Sequence, residues 1–381
     1  MKIPFNKIYL TGHEFAYMKE VCEKRSVAGD GVFTQQCNGW LQEKTGCRHA
    51  MLTHSCTAAL EMSALLLHLK SGDEIIMPSF TFVSTANAFV LHGAVPVFVD
   101  IREDTLTIDP AKVEAAISPR TKAIVVVHYA GVAADMDALL AIARDHGLFL
   151  IEDAAHAILA EYKCKPLGSM GHLSCLSFHE TKNLTCGEGG ALLINDERFK
   201  DEAEIIAKKG TNRNKFLRGE VDKYSWVAKG SSFLPSDITA AFLWAQLEKA
   251  AWITQRRRGI WQTYHRAFAA LESEGVLRRP VVPEDRNHNG HLYYLLLKDV
   301  KARDSFISFM KEEGIHCVFH YVPLHQSVAA KRYARCGSDL NVTEDVARRL
   351  VRLPLWVEMQ KDLDLIIHHA ATALKVPISC P

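Results

Sequence analysis

Two textures alternate between residues 55 and 195. Short apolar runs occupy residues 74–78, 95–100, 123–127, 148–151, 173–178 and 191–194, and each has the length of a strand. Stretches of helical character, 57–69 and 135–145 among them, lie between several of these runs. Apolar strands separated by helices predict an α/β fold: a mostly parallel sheet covered by helices on both faces. In such a sheet the binding residues gather at the carboxyl ends of the strands. Ser79, His128, Asp153 and His179 all fall near such ends, which predicts a shared crevice.

After Ile194 the pattern changes. Residues 210–226 are polar, basic and without periodicity, which predicts a long loop or irregular excursion, a feature that is usually functional. Residues 236–271 read as one long or kinked helix leading into a second unit. That unit carries strand-like runs at 292–297 and 317–321, with helices starting near Ala302 and Thr343. The expected organisation is a large domain, 1–245, and a smaller C-terminal α/β domain, 246–381.

Composition narrows the partners. The 381 residues suffice for two domains, and 48% apolar with 23% charged residues is ordinary for a globular protein. Lys plus Arg (45) nearly balance Asp plus Glu (44), so no global field favours nucleic acid or membrane. Ten cysteines show no CxxC pair and no zinc-type spacing, so no metal is expected. The opening residues lack a signal-peptide core, and no stretch is long enough to span a bilayer. The expectation is a cytoplasmic protein with reduced thiols.

The candidate chemistry centres on Lys182, in Ser177-Phe178-His179-Glu180-Thr181-Lys182-Asn183, followed by Gly187-Glu188-Gly189-Gly190. An isolated lysine is most often a surface residue. This one follows an apolar strand and precedes a glycine cluster, the setting of a Schiff-base lysine with a depressed pKa. Asp153, in Glu152-Asp153-Ala154-Ala155-His156, reads either as a helix N-cap or as the acid that holds a pyridinium nitrogen. Ser55-Cys56-Thr57-Ala58 opens a helix, either as an ordinary cap or as a phosphate cradle, with Ser177 as a further donor. Phe82 reads as core or as a ring stacked on the cofactor. Together these residues suggest pyridoxal 5'-phosphate. The glycine cluster lacks GxGxxG spacing and precedes a strand, so a nicotinamide fingerprint is rejected. His320, Tyr321 and His325 are weaker candidates for the substrate site.

In combination and order these segments resemble the DegT/DnrJ/EryC1/StrS family of fold-type I nucleotide-sugar aminotransferases, over nearly the whole chain. Further resemblance lies in Ile3-Pro4-Phe5, in residues 72–79 (GDEIIMPS) and in residues 93–100 (GAVPVFVD). It implies Lys182 as the cofactor lysine, Asp153 at the ring nitrogen, Phe82 stacked on the ring and His156 near the ring hydroxyl. It implies Ser177 and the Ser55–Cys56–Thr57 turn at the phosphate. It also implies a homodimer with active sites between subunits, the 210–226 loop reaching the neighbouring site. Basic residues Arg213 and Arg218 are then candidates for a nucleotide diphosphate. Two positions depart from the family: Leu234 stands where many members offer an Asn to the partner's phosphate, leaving Ser231 or Ser232, and Cys56-Thr57 replaces Gly-Thr.

Segments 54–60, 177–183 and 218–224 are similar to a subgroup that aminates dTDP-4-dehydro-6-deoxy-D-glucose with L-glutamate, for surface polysaccharides. Three rivals stand beside it: amination at C3 or of another nucleotide-linked keto sugar, a sugar dehydratase, and a non-catalytic partner subunit. The dehydratase relatives carry histidine in place of the lysine, and Lys182 with Asp153 argues for catalysis.

Overall fold

The computed structural model describes residues 2–375; Met1 and residues 376–381, with Cys380 and the end of the expected small domain, lie outside the described residues. The strands are β1 (His49–Thr53), β2 (Glu74–Pro78), β3 (Val95–Val99), β4 (Thr121–Val127) and β5 (Phe149–Asp153). Next come β6 (Glu161–Tyr162), β7 (Lys165–Pro166), β8 (Leu173–Ser177) and β9 (Gly190–Ile194). The later half adds β10 (Leu277–Arg278), β11 (Arg286–Asn287), β12 (Tyr293–Leu297), β13 (Arg335–Cys336) and β14 (Leu350–Leu353).

Eight strands form one sheet in the order β1-β9-β8-β5-β4-β2-β3-β13. Neighbours from β13 to β8 run parallel, and β9 is antiparallel to both β8 and β1. The mostly parallel α/β sheet expected from the sequence is therefore present. Alternate residues feed opposite faces, as the strand period of two requires. Ile76, Ile124 and Val126 join one apolar cluster, and Ile75, Met77, Ala123 and Val125 join the other. Both faces are buried, so the runs read as continuous. Helices Val32–Thr45, Met136–Asp145 and Asp237–Glu248 cover one face; Cys56–Leu66, Val83–Val90 and Lys200–Ala207 cover the other.

The antiparallel sheet β10-β12-β14 packs with helices Ala250–Ala267, Val300–Glu312 and Leu363–Lys375 around Tyr264, Phe306 and Ile366. A third small sheet joins β11, β6 and β7. Among the described residues no helix is long and apolar enough to cross a membrane.

Several sequence expectations need correction. Residues 317–321 form no strand; Val318 makes a single bridge to Arg352 and the chain then turns through a positive φ of 45° at Tyr321. The helix expected over 236–271 is three: Asp237–Glu248, Ala250–Ala267 and Ala269–Ser273. Residues 210–226 contain a short helix, Arg213–Leu217, and are closed by a Thr211–Trp226 bridge. The pattern also missed β13, a two-residue strand from the later half that docks on β3. Charge holds it there: the buried Glu74 carboxylate binds Arg335 and Arg120, each at 2.6 Å. Arg335 foremost, with Ser118 and Arg120, outweighs burial and brings the Glu74 pKa down to about 2.

Candidate active site

β8 ends at Ser177 and the chain turns at once: Glu180 N–H donates to Gly187 O at 2.8 Å and Lys182 N–H to His179 O at 2.9 Å. The turn brings Lys182, half-buried, to the wall of a cavity of about 780 Å³. Burial lowers its pKa; the nearby Cys56 and Asp153 oppose that shift, and Arg352 adds to it. A larger fraction of uncharged amine results, the state a nucleophile or base requires. The following residue, Asn183, is buried and fastens the turn to the later half: its Nδ2–H donates to Asn289 O at 3.0 Å, and Oδ1 pairs with His291 Nδ1 at 2.9 Å. The glycines answer a steric need. A Cβ on Gly190 would lie 2.4 Å from Cys56 N, so only glycine lets β9 pass the turn that follows β1.

Asp153 closes β5 inside the same cavity. Its Oδ2 accepts from Thr85 Oγ1 at 2.7 Å and its Oδ1 from Ala155 N–H at 3.2 Å. No helix starts after it, so the helix-cap alternative does not hold. Burial raises its pKa against those two bonds and the pull of Lys182. Ser55 does cap the helix Cys56–Leu66, accepting from Ala58 N–H at 3.0 Å. The first helical N–H groups, at Cys56 and Thr57, have no intrahelical acceptor, and both residues line the cavity beside Ser55 and Ser177. Phe82 lines it too and is 58% exposed, which excludes the core alternative.

The opposite wall comes mainly from residues past 250. His156 stacks on His291 with centroids 4.1 Å apart, and His320 stacks on Tyr321 at 3.6 Å. Burial, reinforced by Lys182, drives the pKa of His156, His291 and His320 well below the usual imidazole value. His156 Nδ1 is buried with no hydrogen-bond partner among the described residues. Sequence reasoning missed Thr85, Asn183, His291, Arg257 and Arg352. The one signal available for Arg352 was a charge inside the apolar run Leu350-Val351-Arg352-Leu353.

Other expected residues lie elsewhere. His325 is away from the cavity: Nδ1 pairs with Ser79 Oγ at 2.7 Å and Nε2 with Glu344 at 3.1 Å. Buried Ser79 is thus occupied, and His128 is held by Glu152 at 2.9 Å; neither lines the crevice. Arg218 bonds Glu204 and Glu220 beside the short helix. Arg213 lines a separate groove with Ser232 and Leu234, again apart from Lys182.

A lysine of lowered basicity, a buried carboxylate and an open helix N-terminus in one cavity fit pyridoxal phosphate: a covalent anchor, a partner for the ring nitrogen and a seat for the phosphate. The orphaned His156 Nδ1 leaves a polar atom for the ring substituents. Fold and cavity thus define a pyridoxal phosphate-dependent aminotransferase. The chain belongs to the DegT/DnrJ/EryC1/StrS aminotransferase family, whose sequence profile matches residues 9–369. It is 38% identical over 325 residues to the spore coat polysaccharide biosynthesis protein SpsC of Bacillus subtilis, covering 83% of each chain. The aminotransferase TlmJ of Streptoalloteichus hindustanus superposes with a TM-score of 0.89 at 28% identity, over 98% of each chain. Spr1654 of Streptococcus pneumoniae, solved in a PLP form, gives a TM-score of 0.89 at 26% identity over 98% of each chain.

Proposed function

We propose that the chain transfers the amino group of L-glutamate to the 4-keto carbon of dTDP-4-dehydro-6-deoxy-D-glucose. The products are dTDP-4-amino-4,6-dideoxy-D-galactose and 2-oxoglutarate, made in the cytoplasm for a surface polysaccharide. The observation that carries amino transfer is the convergence of Lys182 and Asp153 on one cavity. The choice of sugar rests on the subgroup-like segments 54–60, 177–183 and 218–224, with the polysaccharide role of SpsC in support.

Bound pyridoxal phosphate supplies an electron sink for the carbanion left when a proton leaves the donor Cα. Asp153, fixed by Thr85 and Ala155, would hold the ring nitrogen protonated. The N-terminus of Cys56–Leu66, with Ser55 and Ser177, would receive the phosphate. Phe82 would lie against the ring, and His156 would stand near its hydroxyl. Lys182, as a neutral amine, would take the Cα proton of the bound donor. In the second half-reaction it returns a proton to one face of the sugar carbon and fixes the stereochemistry. His320 and Tyr321 border the space left for the sugar.

A homodimer completes the proposal, with the excursion around Arg213 and Arg218 serving the partner's site. Trp226 is 80% exposed and Leu217 66%, apolar surface that a second copy would cover. Ser231 or Ser232 would replace the family's phosphate Asn. The division into 1–245 and 246–381 belongs to the same reading. Incubating the holoenzyme with glutamate and dTDP-4-dehydro-6-deoxy-D-glucose should give a 4-amino sugar by NMR and equimolar 2-oxoglutarate. Absence of amination would overturn the substrate, and amination of the 3-keto isomer in its place would move the reaction to C3.

A further inference from the structure

Another groove, of about 910 Å³, runs along the outer face of the helix Ala250–Ala267, and no step proposed around Lys182 uses it. Trp252, Arg256, Gly259, Thr263 and Arg266 follow one another at intervals of three and four residues, so they share one stripe of the helix. At roughly 1.5 Å per residue the stripe from Trp252 to Arg266 is about 21 Å long. Arg257 is turned the other way, into the Lys182 cavity, where it donates to the carbonyls of Gly290 and His291 at 3.2 and 2.7 Å.

The groove carries positive charge that the protein leaves unanswered. Arg256, Arg258 and Arg266 line it, and no carboxylate does among the described residues. None of the three has an ion pair among the described residues. Arg256 leans on the Trp252 ring, 5.9 Å from its centroid, and Arg266 reaches only Thr263 Oγ1, at 3.5 Å. Surface arginines elsewhere, such as Arg198, Arg218 and Arg349, each hold a carboxylate. Like charges gathered on one helix repel, so the arrangement costs stability unless an anion answers it.

Two further features have no explanation in packing. Thr254 lines the groove at 8% exposure, yet its Oγ1 has no hydrogen-bond partner among the described residues. A helical threonine can donate to the carbonyl one turn back, and buried hydroxyls are ordinarily bonded. Gly259 stands inside the helix, where glycine is unfavourable, although a Cβ there would meet nothing within 4 Å. What the missing side chain provides is an open floor between Arg256 and Arg266.

The volume is that of a small-molecule site and far exceeds a bare phosphate. At one end the Trp252 indole, 41% exposed, offers a face for a planar base. The guanidiniums grip phosphate oxygens, and the carboxamides of Gln255, Gln262 and Gln360 each bring a donor and an acceptor for ribose hydroxyls or a base edge. We infer that this face of the helix is a binding site for a nucleoside diphosphate, with Arg256 and Arg258 receiving the phosphates and Trp252 the base. The site is independent of the amino-transfer reading. A second copy of the chain is the other occupant such a face could take.

The test titrates the wild-type holoenzyme with ADP by calorimetry and repeats the titration with Gly259→Leu and with the double variant Arg256→Gln/Arg258→Gln. Leucine favours a helix more than glycine does, so Gly259→Leu fills the groove without unfolding it. The wild type should bind one ADP per chain that Gly259→Leu loses. The double variant should bind it roughly 10- to 100-fold more weakly, as expected for lost charge-assisted contacts. Inorganic pyrophosphate and adenosine should each bind at least about 10-fold more weakly than ADP. Hydrogen exchange over residues 250–267 should slow with ADP in the wild type and stay unchanged in Gly259→Leu. The cofactor absorbance change on adding glutamate should be the same in all three proteins. No ADP binding, binding that both variants keep, or pyrophosphate binding as tightly as ADP would overturn the inference. So would a cofactor response lost together with ADP, which would place the nucleotide in the Lys182 cavity, or a wild-type dimer that Gly259→Leu splits, which would make the groove the seat of a second copy.

Discussion

The two walls of the cavity differ in kind. One is built from the carboxyl ends of β5 and β8 and the turn after β1, and it holds Lys182, Asp153 and Ser55. The other draws on the helix Ala250–Ala267, the segments around His291 and His320, and β14, and it presents neutral imidazoles and two guanidiniums. The first wall supplies the reacting amine, the acid and the helix N-terminus. Among the described residues that line it, the second supplies no carboxylate. On the proposed reading the large sheet sets the reaction and the later residues, joined to it through Asn183 and Glu74, choose what reacts.

Mutations should separate the walls. On the first wall, Lys182→Ala should cost the largest factor, at least about 10⁴ in turnover, since both the covalent anchor and the proton carrier go. Asp153→Asn should follow with a loss of roughly 10²- to 10³-fold, because a neutral amide no longer holds the ring nitrogen protonated. A larger effect from Arg352→Gln than from Asp153→Asn, at saturating glutamate, would break the division between reaction and recognition. Thr85→Val removes one bond to the buried acid and should weaken cofactor retention by about 1–2 kcal/mol, read by spectrophotometric titration.

The second wall also predicts a pH response. The folded pKa of His156, His291 and His320 lies below the unfolded value near 6.5, so the unfolded chain binds protons first as pH falls. His288, brought to about 4 mainly by burial, acts in the same sense. The stability these groups retain above pH 6.5 is lost as pH drops towards 4, so the melting temperature should fall by several degrees between pH 7 and pH 5. Smallest of all is His325→Ala. It leaves the buried Ser79 hydroxyl without its partner and should cost about 1–2 kcal/mol of stability in urea unfolding, with turnover nearly unchanged.

Legibility in the sequence followed the same division. Strands β2, β3, β4, β5, β8 and β9 announce themselves as apolar runs, and of the residues expected near their ends Asp153 and His179 line the cavity, beside Ser177. Ser79 and His128 share that position yet are taken up by His325 and Glu152, because a strand end offers a place and not an orientation. The second wall was harder to read. Tyr321 sits at a positive φ that no local pattern announces, and 317–321 imitates a strand by its apolar character alone. Thr85 earns its place only through Asp153, 68 residues away, and Asn183 through His291, 108 residues away. Contacts of that range are set by packing and leave no periodic trace. His320 and Tyr321 were found by residue type, and His325 from the same run shows how far type alone misleads.

The central claim is that Lys182 holds the cofactor. Borohydride reduction of the pyridoxal-loaded protein, followed by peptide mapping, tests it most directly. The account predicts one phosphopyridoxyl group per chain, on the peptide containing Lys182, and none after prior conversion of the cofactor by glutamate. Label on a different lysine, or an unlabelled Lys182 in protein that retains bound cofactor, would contradict it.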